Sequence, residues 1–428
     1  MIRKLNDLEY LNFSLGQPYN IVIVLRVNCY ISRAELKKAF HKAQEKHPLL
    51  KVRIQADDKD IFWFTSKGVT EIPIEHVEYK SDEQTNTFFL RNLETNFNIK
   101  DPNLPLFRIT LITSLEHTDI ILCAQHTISD GLSMVLLTRD LVDFLNNPDI
   151  EVESLNTPIK KEDIFSPKIR KMIPNKAFRT RALFSVLRIY HFLKFGKKKK
   201  EILHDSDYIK DDLRLILWNL SVDETDLFIQ LCKQNKVSVH SAISTLFLPE
   251  FSAINNPVNL RNRLNYPIGE AFGLYASGAV VKMKYKESQD FWINAKQYQS
   301  KLLRSLRDKN VYKIHKIVHT GVPIDLLKEF ATIFLDIASN QEAFAITNLG
   351  SLDHMGIEFD SNNISIESFY GALSFPMGAI TVLVFTMKGQ LHFNFHYLES
   401  YHDAQRMKKI VEKVKNRTRD LLAKKKYS

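Results

Sequence analysis

The chain has 428 residues, 44% of them hydrophobic and 25% charged, with a formal net charge of +10. That length fits two domains of ordinary size, each able to bury a core, and that composition excludes disorder on a large scale. Twelve Lys or Arg and no Asp or Glu lie between Ser166 and Lys200; this local excess exceeds the whole net charge, which excludes a nucleic-acid-binding face spread along the chain.

In chain order, NIVIVLRVN from Asn20 reads as a strand. Ser32 then caps a helix with Leu36, Ala39, Phe40 and Ala43 on one face, ended by Pro48. LKVRIQ, DIFWFTS and IPIEHVEY read as short strands and DEQTNTFFLRNLETNF as a helix. LFRITLITS and TDIILCAQH form a hairpin around Leu115-Glu116-His117. The apolar helix GLSMVLLTRDLVDFLNN follows, stopped by Asn147-Pro148.

The second half repeats the mixture. LRLILWNL reads as a strand, ETDLFIQLCKQNKVSVHSAISTLFLPEF as two helical pieces, and VNLRNRLNY as a strand or loop. ALSFPMGAITVLVFTMKGQLHFNFHYL gives two or three strands, with a turn at Met387-Lys388-Gly389-Gln390, and a terminal helix closes the chain. The fold class expected is α/β, with two halves in a pseudo-dimer rather than one wound sheet. The boundaries expected are 1–165 for the first half, 166–205 for a basic linker or surface insertion, and 206–428 for the second half.

The three cysteines, Cys29, Cys123 and Cys232, are widely spaced and odd in number, which gives neither a disulfide framework nor a zinc pattern. The opening MIRKLNDLEYLNFSLGQPYN lacks the apolar run of a secretory signal, and no run of about 18 apolar residues exists for a spanning helix. A cytoplasmic location is expected, peripheral at a membrane at most.

Chemistry concentrates in CAQHTISDGLSM, Cys123 to Met134. Taken alone, a histidine closing an apolar strand is more often a hydrogen-bonded structural residue than a catalyst. Here an aspartate and a glycine follow in a strand-loop-helix turn, which exposes an imidazole at a domain edge, while Asp130 could simply cap the helix. No second ligand accompanies His126 for a metal, and no G-x-S-x-G elbow supports a hydrolase. A lone general base without a protein nucleophile is the chemical option left.

HTISDG resembles the HxxxDG motif of the chloramphenicol-acetyltransferase-like superfamily of acyltransferases and condensation domains. Further matches fall in order: KHPLLKVRI from Lys46, LPLFRITLI from Leu104, VNLRNRL from Val258, FGLYASG from Phe272 and ITNLGSL from Ile346. The wax-ester-synthase and polyketide-associated acyltransferase branch of bacteria fits best. Gln125 stands where condensation domains carry a first histidine, and the DFGWG of plant members is missing, Phe369-Tyr370-Gly371 being a faint echo.

The resemblance implies two similar α/β domains around a central channel, with His126 midway as general base. Asp130 would pair with Arg261 to support the loop, Arg263 being the competing choice. Gly131 would give the donor room and offer its N–H to the oxyanion, and Asn348 is a second polar candidate there, or else a turn-supporting asparagine. No cofactor is bound; an acyl-CoA or acyl carrier thioester is the co-substrate, and a hydroxyl or amine the acceptor. A stand-alone condensation enzyme joining carrier-bound units is the alternative, and a silent binding module a third, disfavoured by the intact His126, Asp130 and Gly131. His392 and His396 alternate with aromatics on one strand face, read as solvated rather than channel-lining. AFRTRALFSVLRIYHFLKFGKKKK reads as a solvated linker with a packing stripe, as a basic helix on anionic lipid, or as a contact for CoA phosphates or an acidic carrier protein.

Overall fold

A computed structural model describes residues 2–99, 101–155, 165–172, 177–195, 212–312, 343–357, 364–374 and 378–423, with Leu326, Leu327 and Glu329. The described strands are β1 (Arg3–Lys4), β2 (Asn20–Val27), β3 (Arg53–Ala56), β4 (Phe62–Thr65), β5 (Ile74–Glu78), β6 (Phe107–Thr113), β7 (Thr118–Gln125), β8 (Leu213–Asn219), β9 (Ala253–Asn259), β10 (Ala276–Lys282), β11 (Phe344–Ser351), β12 (Ile366–Leu373), β13 (Ile380–Met387) and β14 (Gln390–Leu398). The helices are α1 (Asp7–Ser14), α2 (Arg33–Lys46), α3 (Asp82–Glu94), α4 (Gly131–Asn146), α5 (Pro167–Met172), α6 (Ala177–Phe195), α7 (Val222–Gln234), α8 (Val239–Phe247), α9 (Phe291–Ser305), α10 (Asp308–Val311) and α11 (Ala404–Ala423).

Two large sheets organise the chain, in the orders β12-β2-β7-β6-β5 and β10-β9-β11-β13-β14-β8, beside a small β1-β4-β3 sheet. β7 is the middle strand of the first sheet and is buried along its whole length, which explains its apolar run IILCA, Ile120 to Ala124. Its hairpin with β6 pairs Thr113 with Thr118, as the sequence suggests. In the second sheet Lys388 and Gly389 both take positive φ, 50° and 71°, which makes a tight two-residue turn between β13 and β14. Ser32 and Glu35 form a reciprocal cap on α2, and Ser221 and Glu224 do the same on α7.

The first sheet does not consist of first-half strands alone. β12 crosses over and pairs antiparallel with β2, from Ile366 opposite Val27 to Leu373 opposite Ile21. Ile366, Phe369 and Ala372 therefore join the core built on β2, β6, β7 and α4, while β9, β11, β13 and β14 pack with α7, α8, α9 and α11 in a second core. Between the halves, Phe165, Ile169 and Phe184 are buried, so α5 and α6 are anchored to the body of the protein.

Burial corrects the reading of β14. His396 is 2% exposed and accepts a hydrogen bond at Nε2 from the Leu373 amide of β12 at 3.2 Å, while Asn394 donates to the Gly371 carbonyl at 3.1 Å. His392 is half-buried and stacks on Phe385. This strand face is covered by β12 rather than solvated. Burial depresses the His396 imidazole to about 4.

Candidate active site

His126 follows directly after β7, and its backbone N–H donates to the Tyr19 carbonyl at 2.8 Å. Its Nδ1 lies 2.7 Å from the Ser129 carbonyl oxygen, which only accepts, so Nδ1 carries the proton and Nε2 of the neutral ring keeps its lone pair. The ring is half-buried, with the Tyr19 ring 4.6 Å away centroid to centroid. Burial holds the imidazole below its ordinary pKa; the Ser129 carbonyl and the Asp130 carboxylate offset this only in part. Gln125, at the place of the missing first histidine, is buried and accepts from the Thr127 amide at 2.6 Å, pinning the loop from inside.

Asp130 is the N-cap of α4 and accepts from the Ser133 amide at 2.8 Å. Its other oxygen accepts from the Tyr275 amide at 2.8 Å and from Arg261 Nη1 at 3.1 Å. Both side chains of the ion pair are buried, 5% and 4% exposed. Arg261 also donates to Ser133 Oγ at 2.6 Å and lies over the Tyr275 ring, 4.7 Å from its centroid. Arg263 instead donates to the Leu306 carbonyl at 2.8 Å. The structure thus brings Asp130 and Arg261 together across the two halves and leaves Arg263 outside.

Gly131 begins α4 against β11. A β-carbon there would stand 3.1 Å from Leu349 Cδ2, so glycine permits close packing of the second half on the motif. Asn348 accepts from the Gly350 amide at 2.8 Å, at a bulge in the β11–β13 register. No hydrogen bond joins it to His126, Asp130 or Gly131 among the described residues.

Sequence reasoning assigned no role to Ser133 and matched FGLYASG from Phe272 without giving it a contact, yet Ser133 and the segment from Glu270 to Tyr275 together tie the halves. Ser133 Oγ donates to the Gly273 carbonyl at 2.7 Å and accepts from the Gly273 amide at 3.0 Å. A β-carbon at Gly273 would stand 2.6 Å from the Tyr275 ring, so the segment folds this tightly only with glycine. Beside it the Phe272 amide donates to His47 Nδ1 at 3.3 Å, and His47 Nε2 meets Asp140 at 2.7 Å. Burial opposes the Asp140 carboxylate, yet hydrogen bonds from His47 and Lys46 hold it at about 2. Arg139 extends this network to Glu270. The signal available in the sequence was a serine three residues past an N-cap aspartate, in register with a distant F-G-L-Y.

The sequence profile of the condensation-domain family matches residues 11–426. The chain belongs to that family. Solved structures agree on the two-lobed fold of condensation domains and chloramphenicol-acetyltransferase-like enzymes. Polyketide synthase associated protein 5 from Mycobacterium tuberculosis is 14% identical, with a TM-score of 0.66 over 99% of this chain and 98% of that one. The TRI3 trichothecene 15-O-acetyltransferase from Fusarium sporotrichioides is 12% identical, with a TM-score of 0.67 over 96% and 93%. The condensation domain of the monacolin K polyketide synthase MokA is 9% identical, with a TM-score of 0.66 over 98% and 97%. None of the curated proteins matches the chain in sequence.

Within this condensation-family fold, no group of three His, Cys, Asp or Glu able to hold a metal occurs among the described residues. Cys123 and Cys232 are buried, and burial pushes their thiols up to about 11 and about 12, so neither supplies a thiolate at neutral pH.

Proposed function

We propose that this condensation-family protein is an acyltransferase that moves an acyl group from a CoA or carrier-protein thioester to a hydroxyl or amine, with His126 as general base. The observation that carries the proposal is the His126 tautomer: the Ser129 carbonyl holds the proton on Nδ1 and leaves Nε2 as acceptor on a ring kept neutral by burial. Nε2 takes the acceptor's proton as its oxygen or nitrogen attacks the thioester carbonyl. The tetrahedral centre collapses with breakage of the C–S bond, and the proton passes to the departing thiolate. No acyl-enzyme is needed, in keeping with the protonated, buried Cys123 and Cys232.

In this reading Asp130 and Arg261 are positioning residues: their ion pair fixes the turn that carries His126. Gly131 leaves room for the donor and aims its N–H at the oxyanion. Asn348, engaged with Gly350, acts on the shape of β11.

The test is thiol release from a panel of acyl-CoA thioesters with alcohols and amines. His126→Ala should lower the rate by about 10²–10⁴ while leaving the far-ultraviolet circular dichroism of the folded protein unchanged; full activity in that variant removes the base assignment. The family match also supports a stand-alone condensation enzyme working on carrier-bound units. Transfer only from a loaded carrier, never from free acyl-CoA, would select that reading.

A further inference from the structure

α6, Ala177–Phe195, carries large apolar side chains on both its sides. Phe184 is buried and Leu187 packs against the first core. Facing outward are Leu183, Val186, Ile189, Tyr190, Phe192 and Leu193, from 37% exposed at Leu183 to 77% at Leu193. At about 100° per residue, the arc from Phe192 through Ile189, Leu193 and Val186 to Tyr190 spans roughly 160°, opposite Phe184 and Leu187. Single exposed apolar residues are ordinary, but five large ones on one side of a helix, with the small Ala182 and Ser185 between them, mark a contact surface.

We infer that this face of α6 seats the protein on an anionic lipid surface, with the helix lying in the plane of the headgroups. No described helix is long and apolar enough to cross a membrane, so the contact is interfacial. Charge selects the occupant. The stretch from Ser166 to Lys200 holds twelve Lys or Arg and no acidic residue, with Lys168 and Lys171 exposed on the neighbouring α5 and Lys197 to Lys200, outside the described residues, following α6. Arg188 is held at the side of the helix by Glu329. A second copy docking through the same face would bring two such basic stretches together, which opposes a self-interface. A bilayer offers an apolar interior to the arc and anionic headgroups to its basic flanks.

The inference concerns where the protein sits and is tested apart from acyl transfer. Full-length protein is sedimented with phosphatidylcholine vesicles and with vesicles that also contain phosphatidylglycerol. Binding to the anionic vesicles is expected, weakening as salt is raised. Val186→Glu together with Leu193→Glu should lower the partition coefficient on the order of a hundredfold, with no change in melting temperature because both side chains are exposed. Lysine-to-glutamine changes at 197–200 should each lower it roughly fivefold. Sedimentation unchanged by the Val186/Leu193 variant, or no binding to either vesicle, overturns the inference. A dimer seen by light scattering without vesicles, and lost in that same variant, would assign the face to a second copy instead.

Discussion

Removing the Asp130 carboxylate tests the junction between the halves most directly. In Asp130→Ala the Arg261 guanidinium stays buried without its partner, a loss of about 3–5 kcal/mol. The Tyr275 amide loses its acceptor and α4 loses its cap at Ser133, each worth roughly 1–2 kcal/mol. These losses share one carboxylate and do not add in full, so about 5 kcal/mol is expected, comparable with the entire stability of many domains. Arg261→Met in the Asp130→Ala background removes the stranded charge and should restore about 3 kcal/mol. The assay is urea unfolding of the four proteins of the cycle at neutral pH, followed by far-ultraviolet circular dichroism and by fluorescence of Trp63, Trp218 and Trp292. Coincident transitions license a two-state treatment. Additivity of the two substitutions within about 0.5 kcal/mol would refute the coupling drawn from the 3.1 Å contact.

Other substitutions probe separate steps. Because burial depresses the His126 pKa, the acid limb of kcat/KM should fall below the ordinary histidine value of about 6.5; a limb above it would contradict the environment described. Gly131→Ala should change stability by about 1 kcal/mol or less, since only the mobile end of Leu349 must yield, yet slow transfer; adding Leu349→Ala should recover the rate if crowding is the cause. His396 is neutral when folded and protonates near 6.5 when unfolded, so the unfolded chain binds the extra proton. Its contribution is therefore intact above pH about 6.5 and declines by about 3 kcal/mol as pH falls towards 4. His396→Gln should flatten the urea midpoint across that window. Asp140 has the opposite sign of charge and a lower window: its contribution of about 2 kcal/mol is present above pH about 4 and lost as pH falls through 2, and Asp140→Asn should remove it at neutral pH.

The sequence was most readable where local pattern and burial coincide. β7 is central and buried on both faces, so its run had to be apolar, and the hairpin that leads to His126 follows from two such runs separated by a short polar turn. The Ser32 and Asp130 caps were legible because capping is a contact within three residues. Contacts set by the other half were not. Period-two alternation put His392 and His396 on one face of β14, but only the crossover of β12 decides that this face is covered. Arg261 and Arg263 looked equivalent when strand parity was assumed. The chain instead makes a 3-10 turn over Arg261–Arg263, where two residues stand about 240° apart, so only Arg261 faces Asp130. Arg3 and Glu9, charged residues near the N-terminus, gave no sign of pairing at 2.6 Å in a buried site.

The same carboxylate explains how the two halves hold the candidate base. One Asp130 oxygen starts α4 through Ser133, and the other accepts the Tyr275 amide from the second half. The residue just before it, Ser129, supplies the carbonyl that fixes the His126 tautomer. Movement of the Glu270–Tyr275 segment therefore reaches the imidazole through a single peptide unit, whereas no hydrogen bond among the described residues links Asn348 or Leu349 on β11 to that turn. Gly273 lets Tyr275 fold back under Arg261, and Ser133 closes the same turn with two hydrogen bonds. A change at Gly273, which touches neither His126 nor Asp130 directly, should for that reason impair proton transfer more than an equally large change at Asn348.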